Sequence, residues 1–146
     1  MKTRTLLLMA LGCGVAIMLA GAVFLFRLAG EADVAAAVPI GERARVGDMV
    51  VAVELADERD GVLDVTVVIG GVDDPDGASG FRLIASGRPV SPVRVDEGAD
   101  QRCAATTVEA QQCVVRFDVA AADGTSRVLF FERGDESARW IVDRTG

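Results

Sequence analysis

Two patterns of apolar positions divide this chain. From Thr5 to Phe26 run 22 residues without a charge; as an α-helix rising 1.5 Å per residue, such a run spans roughly 33 Å, enough for a bilayer core. Beyond about Arg45 the apolar residues come in short alternating runs broken by Gly, Asp and Pro. That is the period of strands with one buried face.

Followed residue by residue, the alternation predicts an antiparallel sandwich. Met49, Val51, Val53 and Leu55 fall on one face of a first strand, and Leu63, Val65, Val67 and Ile69 on one face of a second. With Asp57 to Gly61 as the connecting turn, the two runs read as a hairpin. Phe81, Leu83 and Ala85 begin a third strand after Asp73-Asp74-Pro75-Asp76-Gly77, and Pro89 and Pro92 suit a sheet edge, where a missing N–H costs little. Thr106 to Glu109 is read as a short fourth strand. Cys113, Val115, Phe117 and Val119 share the inner face of a fifth, with Arg116 and Asp118 on its wet side. Arg127 to Phe131 is apolar on both faces and thus a candidate central strand, and Arg139 to Asp143 buries Trp140 and Val142. The fold class predicted is all-β: an immunoglobulin-like antiparallel β-sandwich preceded by a single N-terminal transmembrane helix. Antibody-type landmarks are missing, because Trp140 follows both downstream cysteines and the chain has no Tyr.

The expected organisation is a membrane anchor over 1–28, a linker over 29–44 and an extracytoplasmic domain over 45–146. A secretory signal core runs about 7–15 residues, so the longer apolar run reads as a retained signal-anchor, with cleavage near Ala20-Gly21-Ala22 as the alternative. Ala10-Leu11-Gly12-Cys13 loosely resembles a lipobox. The apolar segment before Cys13 is short and another follows it, so Cys13 reads as a small hydrophobe inside the membrane. Lys2 and Arg4 precede the helix, whereas Arg27 is soon outweighed by Glu31 and Asp33, which places the N-terminus inside and the domain outside the cytoplasmic membrane.

Charge narrows the partners. Residues 31–146 hold twelve arginines, no lysine and all 22 acidic residues, a net charge of −10. Such a surface repels phosphate backbones and anionic headgroups, which speaks against nucleic acid and against peripheral docking on acidic lipid. Cys103 and Cys113 form an even pair in the exported part, where oxidation is permitted, and are expected to be disulfide-bonded. Closing a loop of about 11 residues stabilises by roughly 3 kcal/mol. Their spacing is not the Cys-x-x-Cys of a redox pair.

Ile40-Gly41-Glu42, Val46-Gly47-Asp48, Phe81-x-Leu83 with Gly87, Val115-x-Phe117-x-Val119, and Val128-x-Phe130 leading to Trp140 together form a further pattern. In order and spacing it resembles the immunoglobulin-like extracytoplasmic domains of Gram-positive and actinobacterial envelope proteins, a family that includes secreted immunogenic proteins. The resemblance covers about residues 38–143 and departs at Gly70-Gly71-Val72, where such domains often carry an Asn-x-Gly turn. It implies a fold and an address, and brings no catalytic residues with it.

The chain contains no His, which removes Ser-His and Cys-His nucleophile pairs and imidazole metal ligands. The acidic turns Asp57-Glu58-Arg59-Asp60 and Asp73-Asp74-Pro75-Asp76 read as solvated loop charge with Asp capping its own turn. Asp74-x-Asp76-Gly77 lacks the third acidic position and the late Glu of an EF-hand, so no metal or cofactor is expected. The function expected is therefore a non-catalytic, membrane-anchored extracytoplasmic binding module, its ligand not legible in the sequence. One alternative is an accessory subunit of a membrane transporter or enzyme, assembled through the small-residue stripe Gly12, Ala16 and Ala20. The other is a carboxylate- or metal-dependent hydrolase.

Overall fold

Among residues 3–31, 36–94 and 101–143, which the computed structural model describes, the chain separates into two units, Met1–Val34 and Ala35–Gly146. Helix α1 (Thr3–Glu31) forms the first. Its stretch Thr3–Arg27 is long and apolar enough to cross a membrane, and Leu7, Ile17 and Phe26 are among the exposed side chains along it, a surface suited to lipid rather than water. Of the residues that argue orientation, Lys2 and Asp33 lie outside the described residues, as do 32–35 of the expected linker.

Among the described residues eight strands build the second unit: β1 (Arg43–Val46), β2 (Met49–Arg59), β3 (Val62–Gly70), β4 (Phe81–Ala85), β5 (Arg88–Val90), β6 (Gln111–Asp118), β7 (Arg127–Arg133) and β8 (Glu136–Ile141). They form two four-stranded sheets, β1-β2-β3-β6 and β5-β4-β7-β8, with every pairing antiparallel. This is the immunoglobulin-like β-sandwich that the alternation predicts. Val51, Val65, Val67, Val115 and Phe117 from the first sheet meet Phe81, Leu83, Leu129, Phe131 and Trp140 from the second in one buried core. Burying each such side chain contributes about 1.5–3 kcal/mol. The chain passes between sheets three times, after β3, β5 and β6.

The alternation locates the inner faces of β3, β4 and β6 and the paired β2–β3 hairpin. β7 is a central strand, as its two apolar faces require, and Pro89 sits in edge strand β5. Four expectations need correction. Arg43 and Ala44, assigned to the linker, already pair with β2. The turn after β2 is shorter than Asp57 to Gly61, because Asp57, Glu58 and Arg59 stay paired to β3. Thr106 to Glu109 is not a strand: only Thr106 makes an isolated bridge, to Asp74. That stretch is a loop, anchored where the buried Thr106 hydroxyl donates to Val72 O at 3.0 Å.

The fourth correction concerns Leu55. It does not share the inner face, because the β2–β3 register shifts between Val53 and Leu55, and its side chain is 60% exposed. A bulge inserts one residue and flips everything beyond it to the opposite side. Ala56, opposite Val65, packs against the core in its place, and Glu58, opposite Leu63, turns inward too.

Candidate functional site

Two of the three passages between sheets meet at one side of the sandwich, and there the cysteines lie. Cys103 runs parallel to the β6 edge, with its N–H donating to Val114 O at 3.0 Å and Val114 N–H donating to Gln101 O at 2.7 Å. Cys103 and Cys113 are bonded, both buried, with Cα atoms 5.0 Å apart. Further along the same edge Val93 N–H donates to Arg116 O at 2.7 Å. Between these attachments opens a groove of about 550 Å³, with Pro75 to Ser79 forming one wall, residues 92–94 another, and Arg102, Cys103 and Val114 contributing to its base. Its polar side chains are Asp76, Ser79, Arg94 and Arg102.

The acidic turn residues serve the fold. Arg133, at the end of β7, reaches Asp48 at 2.9 Å and Asp74 at 2.6 Å, fastening the β1–β2 turn and the β3–β4 connection to the second sheet. Asp74 Oδ1 accepts the Asp76 N–H at 2.9 Å, and Asp73 Oδ1 accepts the Val108 N–H at 3.2 Å. Among the described residues, no group of three or more His, Cys, Asp or Glu is arranged to hold a metal ion. Asp64 faces Arg116 through two parallel bonds of 2.6 and 2.7 Å on the outer surface of the first sheet.

No protein-family model matches the chain, and no curated protein matches it in sequence. The sandwich does share the fold of a secreted mycobacterial protein. With MPT63 of Mycobacterium tuberculosis the TM-score is 0.52 at 16% identity, over 73% of this chain and 98% of that one. With ycdA, a candidate lipoprotein of Bacillus subtilis, it is 0.51 at 14% identity, over 69% of this chain and 38% of that one. At such identities the likeness is one of fold.

Neither the groove nor the sandwich's most buried ion pair is visible in the sequence. Glu58, turned inward by the bulge, meets Arg127 through bonds of 3.0 and 3.2 Å, with side chains 7% and 1% exposed. An Arg opening an otherwise apolar strand reads as a flank residue, and only the register shift reveals that it has a carboxylate partner inside.

The surface pairs carry a pH signature. Hydrogen bonds from Arg133 hold Asp48 and Asp74 below the ordinary carboxylate value, and those from Arg116 do the same for Asp64. A carboxylate with a lowered folded-state value contributes stability that is complete above the unfolded value, near 4, and is lost as pH falls through the folded one. The thermal midpoint of the sandwich should therefore change little on these groups' account between neutrality and about pH 5, then fall below about pH 4. Arg133→Gln should flatten part of that decline. An acid limb identical in wild type and variant would show that these pairs add no stability.

Proposed function

We propose that this chain is a non-catalytic recognition module held at the outer face of the cytoplasmic membrane. In this reading α1 is a retained anchor with its N-terminus inside, the sandwich belongs to the immunoglobulin-like extracytoplasmic domains, and the groove beside Cys103 receives the ligand. The observation that carries it is the disulfide itself. A bonded, buried pair belongs to an oxidising compartment, and here it fixes a segment that frames the groove, so address and site rest on one feature. Secreted MPT63, which has the same fold, adds support for the address. The groove supports binding rather than chemistry: Asp76 is the one carboxylate among its described lining residues, where acid–base hydrolysis uses two.

Fractionation tests the anchor. After alkaline carbonate washing the chain should stay in the membrane pellet, with an intact N-terminus upstream of Ala22. A soluble species beginning after that residue would make the helix a cleaved signal and remove the tether. Native-size analysis in mild detergent then separates recognition from subunit assembly: a constant stoichiometric complex with a polytopic protein favours the accessory subunit.

A further inference from the structure

We propose that the groove between the sheet crossings binds the carboxylate of a ligand with an apolar body, such as the C-terminus of a short peptide, between Arg94 and Arg102. The proposal rests on the reading of the sandwich as a recognition module and names what that module takes.

Two arginines without an ion pair meet in the groove. In a domain of net charge −10, Arg59, Arg82, Arg116, Arg127 and Arg133 each lie within 4.0 Å of a carboxylate. Among the described residues Arg43, Arg45, Arg88, Arg94 and Arg102 do not, and of these Arg94 and Arg102 line the groove. Arg102 is held in place, its Nη2 donating to Val93 O at 3.1 Å, while its Nε is buried without an acceptor in the protein. That Nε is closed to solvent, so a ligand would meet the remaining N–H groups of the guanidinium, and a carboxylate is the partner that such a fork accommodates best. The nearby Asp64 does not fill this role, since Arg116 engages both of its oxygens.

The rest of the lining selects the body of the ligand. Pro75, Pro92, Val93 and Ala104 give the groove an apolar surface, which a bare inorganic anion would leave wet. A volume of about 550 Å³ lies within the roughly 300–1,000 Å³ of small-molecule sites. Asp76, on the wall formed by residues 75–79, repels a carboxylate and so favours its placement at the arginines. The disulfide keeps the segment carrying Arg102 against β6, giving a site organised before the ligand arrives.

The test uses the full chain in nanodiscs and the fluorescently labelled tetrapeptide Ala-Val-Leu-Ala with a free C-terminus, read by anisotropy. Saturable binding is expected, weakened about tenfold or more by C-terminal amidation, by Arg94→Gln and by Arg102→Gln, and unchanged by Arg82→Gln. Competition with hexanoate distinguishes sources: displacement means that any carboxylate with an apolar tail suffices, and its absence means that the peptide backbone is recognised as well. Arg94 is exposed, so its variant decides the matter even if Arg102→Gln disturbs folding. No saturable binding at millimolar peptide, or binding indifferent to amidation and to Arg94→Gln, overturns the proposal. Either outcome leaves the membrane address standing, because fractionation tests that separately.

Discussion

Replacing Arg127 with Ala should destabilise the sandwich by about 3–5 kcal/mol, the range for removing one partner of a buried ion pair. Glu58 would stay buried, with its side chain 7% exposed, and would lose both of the bonds that Arg127 donates to it. In a domain of this size that loss lowers the thermal midpoint by more than about ten degrees. The effect is not a measure of what the pair adds. Desolvation offsets most of the attraction, so Glu58→Leu with Arg127→Met, which replaces both charges by apolar groups, should recover most of the loss. Denaturant unfolding of the wild type, Glu58→Leu, Arg127→Met and the double variant provides the check. A double variant destabilised by the sum of the two single effects would mean that the two side chains do not depend on each other.

Removing the disulfide is the second large effect. Cys103→Ala with Cys113→Ala frees a segment whose ends are 10 residues apart, and the chain-entropy estimate for such a loop is about 3 kcal/mol. Because Cys103 is also hydrogen-bonded to Val114 at the β6 edge, the double variant should still fold, with a lower midpoint and a looser groove. Scanning calorimetry measures the first, and weaker binding of a groove ligand the second. An unchanged midpoint would show that the backbone contacts of residues 101–103 already fix the segment.

How far the sequence can be read depends on whether a feature is local. β6 declares itself because Cys113, Val115, Phe117 and Val119 alternate without interruption, and all four are buried. β2 misleads at Leu55 because a bulge leaves no mark in apolar periodicity: the inserted residue is defined by pairing with β3, a partner the strand itself does not encode. Thr106 to Glu109 resembles a strand in its β-branched residues, yet the buried Thr106 serves as a peg whose hydroxyl holds the loop to Val72, and propensity does not distinguish the two roles. Gly70-Gly71 reads in sequence only as a turn pair. Gly71 has φ +127, and a Cβ there would lie 2.5 Å from Asp48 O, so this glycine permits the β1–β2 turn to approach the end of β3. The disulfide is legible from cysteine parity and compartment. The groove is not, since its walls come from segments around residues 77, 93 and 103 that only the sheet crossings bring together.

In the proposed arrangement the helix holds a disulfide-bonded recognition domain outside the membrane. A reporter enzyme that works only outside the cytoplasm, fused in separate strains before Met1 and after Gly146, tests it most directly. Activity is expected from the C-terminal fusion alone, with Cys103 and Cys113 of that same fusion protein bonded to each other by mass spectrometry. An inactive C-terminal fusion carrying two free thiols would contradict the anchor orientation, the export and the compartment on which the site is built.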